Sequence, residues 1–286
     1  MNESVSLVEV GPRDGLQNET RIIPTARKVK LVDELARCGL RRIEVTSFVR
    51  PERVPQLADA GDVMAGITRR SGVSYSVLTP NLKGMEQAMK YSPDEVAVFT
   101  SASEGFCQRN INCSVRESLV RFQPVLEAAR AAGIPVRGYV SCVIDCPFDG
   151  PVAPDQVAGV AQALDGLGCT EISLGDTTGS GTPGRISDML ASVLEVIPAD
   201  RLAGHYHDTG GHALENIRVS LDAGLRVFDS AVGGLGGCPF APGAKGNVAT
   251  EAVVGMLRDE GYETGVDLER LVSVAVPMAH SMRSTR

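Results

Sequence analysis

Several things are scarce in this chain. Histidine occurs only four times in 286 residues, so any two that fall close together stand out. Cysteine occurs seven times, an odd number, and never as Cys-x-x-Cys. That pattern argues against a disulfide framework and fits reduced thiols in a reducing compartment. Cys142 and Cys146 have no zinc-site spacing and read as packing residues. Basic residues are outnumbered, with 28 Lys and Arg against 35 Asp and Glu and a net charge of −7. This excludes the basic field that a nucleic acid or an anionic membrane requires. No apolar run approaches the ~20 residues that span a bilayer. The opening Met1-Asn2-Glu3-Ser4 has no basic n-region, so no secretory signal is expected. The closing Arg283-Ser284-Thr285-Arg286 carries no peroxisomal or retention tail. No linker, low-complexity tract or composition shift divides residues 1–286, and a single-domain cytoplasmic enzyme is the expectation.

Apolar residues make up 43% of the chain, enough for a sizeable core. Strand-like runs alternate with helical patterns every roughly 25–35 residues, the rhythm of βα units around a parallel sheet. Strands are expected at Ser6–Val10, Arg42–Thr46, Val73–Leu78, Glu95–Phe99, Val136–Val140 and Glu171–Leu174. A seventh follows Arg201, and an eighth is expected at Val227–Val232. Pro24 opens a helix whose stripe is Val29, Val32, Leu35 and Ala36, with Gly39 at its C-terminal end. Further helices are read in 54–68 and at Leu82–Tyr91, Pro154–Leu167, Pro183–Ile197, His212–Ala223 and Asn247–Gly261. Ser114 with Glu117 is a capping box opening a long helix that Gly133 ends, and Ser101–Asn112 reads as a polar loop. Eight near-even units favour a closed (β/α)8 TIM barrel over an open doubly wound sheet. The last ~25 residues are left to cover a barrel end or a partner chain.

In such a barrel, chemistry sits where strands end. His205 and His207 alternate onto one strand face, about 7 Å apart, and can grip one metal ion. Polar residues recur at the same end of other units: Asp14, Glu44, Asn81, Ser141, Asp176, Cys238 and Asn247. Asp14, His205, His207 and an amide oxygen from Asn247 form a mixed ligand set suited to Mg²⁺ or Mn²⁺. Taken alone, Asn247 reads as a helix N-cap. Arg13 offers a fixed positive charge for an oxyanion. Glu44 and Asp176 read either as groups that orient the ligands or as polar caps on the barrel mouth. Cys238 lies in a glycine-rich stretch, Gly233 to Gly246, and its thiol can donate or accept a proton.

These residues match a known pattern. Val10-Gly11-Pro12-Arg13-Asp14-Gly15-Leu16-Gln17-Asn18-Glu19, Thr46-Ser47-Phe48-Val49 and Val54-Pro55-Gln56 resemble motifs of the hydroxymethylglutaryl-CoA lyases, metal-dependent TIM-barrel lyases. Gly138-Tyr139-Val140-Ser141-Cys142, Ser173-Leu174-Gly175-Asp176-Thr177 and the Cys238 loop resemble others, so the likeness runs nearly the whole chain. The resemblance implies a metal held by Asp14, His205, His207 and Asn247. It implies cleavage of 3-hydroxy-3-methylglutaryl-CoA to acetoacetate and acetyl-CoA in leucine breakdown and ketone-body formation. Arg13 would stabilise the enolate, Cys238 would take part in proton transfer to its carbon, and Asp14 or His205 would serve as base. A homo-oligomer, a dimer, is the expected assembly. A lyase for a related branched 3-hydroxyacyl-CoA and an acyl-CoA condensing synthase are the alternatives. Tyr206, Gly210, Gly211 and Arg50 depart from the usual family residues and are expected to alter the acyl pocket. Lys83 or Arg50 is expected to reach the phosphates of the CoA tail.

Overall fold

The computed structural model describes residues 3–19, 21–236 and 246–283, with the side chains of 276–283 outside that description. Eight strands form the barrel: β1 Ser6–Glu9, β2 Arg42–Ser47, β3 Ser74–Leu78, β4 Glu95–Ser101, β5 Val136–Ser141, β6 Glu171–Asp176, β7 Leu202–Tyr206 and β8 Val227–Ser230. Each is parallel to its neighbour, and β1 pairs with both β2 and β8, so the sheet closes as expected. A closed sheet leaves no unpaired edge among its strands.

The helices lie outside: α1 Thr25–Arg37, α2 Ala60–Gly66, α3 Leu82–Ala88, α4 Glu104–Ile111, α5 Val115–Ala131, α6 Pro154–Leu167, α7 Pro183–Leu194, α8 Ala213–Asp222, α9 Thr250–Asp259 and α10 Leu268–Arg283. On α1, Leu31, Val32, Leu35 and Ala36 are buried, and Val29 packs at the edge of the same face. The Ser114–Glu117 capping box forms. Gly39 has φ +94°, and any side chain there would strike the carbonyl of Gly265. That contact seats the start of α10, which packs against α1, α9 and the turn at Val232–Gly234. No helix among the described residues is long and apolar enough to cross a membrane.

One expectation about local structure is corrected, and one element is added. Residues 101–112 contain a helix, α4, because the Ser103 hydroxyl accepts the Phe106 N–H at 3.1 Å and Asn112 ends the turn at φ 53°. After β5, Asp145–Cys146 and Gly150–Pro151 pair as a small antiparallel hairpin.

The barrel interior is partly ionic. Near the strand starts, Arg42 donates to Glu171 at 2.9 and 3.0 Å and to Glu95 at 3.1 Å. One level higher, Arg137 donates from Nε to Glu171 at 2.6 Å and from both Nη atoms to Asp229 at 2.9 and 2.7 Å. Arg137 and Asp229 are essentially fully buried. Removing one partner from such a pair strands a charge and costs about 3–5 kcal/mol, so the ladder persists only as a unit. It leads upward to the C-terminal rim.

Candidate active site

The first catalytic candidates come from a single wide turn, Gly11–Gly15. The Val10 carbonyl accepts the N–H groups of Arg13, Asp14 and Gly15 at 3.1, 2.7 and 3.1 Å. An i to i+5 turn of this kind is a frequent functional feature. It is clamped from below by Glu9, whose Oε1 accepts the N–H groups of Gly11 and Val232, both at 2.9 Å. Glu9 Oε2 accepts the Thr250 hydroxyl at 2.7 Å. A Cβ on Gly11 would lie 2.5 Å from Glu9 Oε1, so the clamp requires glycine there. Burial pushes the Glu9 carboxyl up to about 7, against its three hydrogen bonds.

The turn brings Arg13 over the barrel mouth. Its Nε donates to Glu44 on β2 at 2.6 Å, and its Nη1 donates to Asp14 at 2.7 Å. The guanidinium lies 5.5 Å from the centre of the Tyr139 ring. The Tyr139 hydroxyl donates to Glu44 at 3.3 Å and accepts from Arg137 at 2.8 Å. Burial raises the Glu44 carboxyl while Arg13 opposes the shift, and Glu44 Oε1 has no hydrogen-bond partner among the described residues. Burial would also raise Asp14, but Arg13, the two imidazoles and the Asn247 amide outweigh it and hold the carboxyl at about 2.

His205 sits on β7 and His207 just beyond it. Their Nε2 atoms are 3.4 Å apart, and ligand atoms of Asp14, His205 and His207 all lie within 4.8 Å of one another. His205 Nδ1 lies 3.0 Å from Asp229 Oδ2, and a proton on that nitrogen leaves the Nε2 lone pair for the cluster. Burial and the neighbouring His205 imidazole lower His207 to about 4, which favours its uncharged, donor form at neutral pH. Two imidazoles and a carboxylate converging on one point are a chemically sound set for a divalent cation. Asn247 reaches the same place by backbone pairing with His207, flanked by Val248 N–H to Tyr206 O at 3.1 Å. It is not the helix cap, since α9 starts after Ala249. Its amide nitrogen donates to Asp14 Oδ2 at 2.8 Å and to the Leu235 carbonyl at 3.1 Å. Both bonds use the amide nitrogen, so the amide oxygen, the expected ligand atom, is not engaged by either. Arg13, Asp14, Tyr139, His205 and His207 line one cleft of about 1490 Å³.

A family model described as HMGL-like matches residues 4–276. The chain belongs to the HMGL-like family. The Pseudomonas aeruginosa 3-hydroxy-3-isohexenylglutaryl-CoA/hydroxymethylglutaryl-CoA lyase is 57% identical over 270 residues, covering 94% of this chain and 90% of its own. The crystal structure of the HMG-CoA lyase from Brucella melitensis superposes with a TM-score of 0.97 at 60% identity, covering 98% of this chain and 99% of that one. An HMG-CoA lyase from Acinetobacter baumannii, solved with coenzyme A and 3-methylmalate, gives a TM-score of 0.93 at 36% identity, covering 98% and 92%.

Against the HMGL-like pattern, two expectations change. Asp176 does not join the cluster. The β6–β7 register pairs it with Tyr206 and pairs Gly175 with His205, so its side chain falls on the opposite strand face from that of His205. There Asp176 accepts the Gly181 N–H at 2.8 Å and the Thr178 hydroxyl at 3.4 Å, shaping the β6 loop. Tyr206 shares that outer face, with its hydroxyl 2.7 Å from Ser220 on α8, so it does not touch the acyl pocket. Gly210 and Gly211 form an exposed turn off the cleft lining, whereas Arg50 and Lys83 do line it. Cys238 lies outside the described residues. The flanking Gly236 and Gly246 meet beside Asn247, since a Cβ on Gly236 would fall 2.7 Å from its Nδ2 and one on Gly246 would strike the Gly236 carbonyl.

Sequence reasoning missed Asp229 and Arg137. Each is a charge inside an otherwise apolar strand, Val227-Phe228-Asp229-Ser230 and Val136-Arg137-Gly138-Tyr139. A charge at the inward parity of a barrel strand was the available signal.

Proposed function

We propose that this chain is a divalent-metal-dependent carbon–carbon lyase that cleaves 3-hydroxy-3-methylglutaryl-CoA to acetyl-CoA and acetoacetate. The observation that carries the reading is the convergence of Asp14, His205 and His207 beside a buried Arg13. The charge balance supports a dication. The linked interior network holds five carboxylates, Asp14, Glu44, Glu95, Glu171 and Asp229, against three guanidiniums, Arg13, Arg42 and Arg137. Carboxylates outnumber guanidiniums in that network by two.

Asp14, His205 and His207 would hold Mg²⁺ or Mn²⁺, with Asn247 steadying Asp14. When bound, the ion supplies Lewis acidity, lowering the pKa of the substrate's tertiary hydroxyl and polarising the forming ketone. One proton leaves that hydroxyl and one reaches the new carbon terminus, so the site needs an acceptor and a donor. Asp14 or His205 would serve as the acceptor, and the Cys238 thiol would serve the donor end. Arg13 would stabilise the thioester oxygen, where negative charge appears only after the carbon–carbon bond begins to break; such differential stabilisation raises kcat. Arg50, Arg53, Lys83, Arg109 and Arg121 line the outer cleft and suit the phosphates of a CoA tail. The six described cysteines are free and buried, in keeping with a reducing compartment such as the cytoplasm.

The test is incubation with 3-hydroxy-3-methylglutaryl-CoA and Mn²⁺, with longer-branched 3-hydroxyacyl thioesters in parallel, following acetoacetate and acetyl-CoA. Equal release of both supports the reading. Free thiol from acetyl-CoA plus an oxo acid, without cleavage of any glutaryl thioester, would overturn it in favour of a synthase.

A further inference from the structure

We propose that Asp229, braced by Arg137 and Ser173, is the positioning residue that sets His205 for metal binding, so that control of the site reaches down the barrel's interior. The inference rests on the metal reading above.

Asp229 stands on β8 at the level where the register pairs it with His205 of β7. It is 1% exposed and has no solvent to turn to. Its Oδ2 lies 3.0 Å from His205 Nδ1 and accepts the Ser173 hydroxyl at 2.8 Å and Arg137 Nη1 at 2.9 Å. Its Oδ1 accepts Arg137 Nη2 at 2.7 Å. A carboxylate held by a two-pronged guanidinium keeps its charge and its plane. It can therefore only accept from the imidazole, which puts the imidazole proton on Nδ1 and the lone pair on Nε2.

Arg137 is itself fixed from behind. Glu171 takes its Nε, and the Tyr139 hydroxyl takes its Nη1. Four strands thus contribute to the orientation of one imidazole: β5, β6, β7 and β8. His207 has no carboxylate of this kind behind it: its Nδ1 has no hydrogen-bonded side-chain partner among the described residues.

The test uses the full-length protein without substrate. Mn²⁺ is titrated calorimetrically into the wild type, Asp229→Asn and Ser173→Ala, and ¹⁵N-imidazole NMR reads the tautomer of His205. Asn keeps the shape but not the charge, and loss of a partner behind a ligating histidine typically weakens metal binding 10–100-fold. Asp229→Asn should show that loss, together with Nε2-protonated His205 signal. Ser173→Ala leaves the ion pair intact and should weaken Mn²⁺ several-fold, with an unchanged thermal transition in the metal-free protein. If Asp229→Asn fails to fold, Ser173→Ala decides. A wild type that binds Mn²⁺, beside variants with the same affinity and the same tautomer, overturns the proposal. A wild type that binds no Mn²⁺ overturns the metal reading itself.

Discussion

The Nε of Arg13 donates to Oε2 of Glu44 at 2.6 Å, with both side chains buried. This bond sets which edge of the guanidinium faces the cleft, because a second nitrogen is already committed to Asp14. Glu44→Gln should loosen Arg13 without touching a metal ligand. Loss of one donor to a developing oxyanion costs about 10²–10³ in kcat. Misdirecting that donor should therefore lower kcat by tens-fold or more. Steady-state kinetics should show this with little change in KM or Mn²⁺ affinity; an equal rise in KM would place Glu44 in substrate binding instead.

His207→Ala should abolish metal retention and turnover together. Its Nε2 is one of the two nitrogens, 3.4 Å apart, that define the cluster. In the wild type, saturating Mn²⁺ at about 100 times Kd should add about 2.7 kcal/mol of stability. Elemental analysis and thermal melts in chelator and in Mn²⁺ measure both effects. Normal metal content in the variant would refute the ligand assignment.

Cys238→Ser should bind Mn²⁺ normally yet lose most turnover. Serine keeps a donor of similar size but is a far weaker acid. A thiol in a glycine-rich segment is also open to oxidation, so wild-type activity should rise with dithiothreitol. Full activity in the serine variant would remove Cys238 from the reaction.

Glu9 makes stability depend on pH in a separable way. Burial holds its carboxyl at about 7 in the folded chain, against the ordinary 4.5. Below pH 4.5 it is protonated in both states and contributes nothing. Between 4.5 and 7 the unfolded chain releases the proton first, so stability falls as pH rises. The full effect above pH 7 is roughly 3 kcal/mol. Glu9→Gln has no proton to lose and can still accept from Gly11 and Val232. The gap in urea midpoint between variant and wild type should therefore widen from pH 4.5 to 7.5. Parallel profiles would show that Glu9 stays ionised in the fold.

The barrel was legible because its signals are local. Strand spacing, the Ser114 cap and the glycines after helices each report on their own segment, and eight such segments admit few arrangements. Asp14, His205 and His207 were legible because they sit at strand ends in recognisable motifs. Asp229 and Arg137 were not, since their meaning lies in partners more than 20 residues away: His205 is 24 positions from Asp229, and Arg137 is 92. Asp176 kept two readings open for a related reason. Its place at a strand end was right, but the face it occupies follows from register with Tyr206, which no single segment encodes. Helix α4 was hidden because Glu104–Ile111 is short and half polar, and only Phe106 and Cys107 are buried.

The ionic ladder from Glu95 through Arg42, Glu171 and Arg137 to Asp229 bears on attempts to toughen the protein. Substituting close-packed aliphatic residues for buried ion pairs often leaves a fold equally sturdy or sturdier. Applied to this barrel, that strategy would remove the rungs that brace Asp229 beneath His205. A heat-resistant version designed on packing alone would come out well folded and inert.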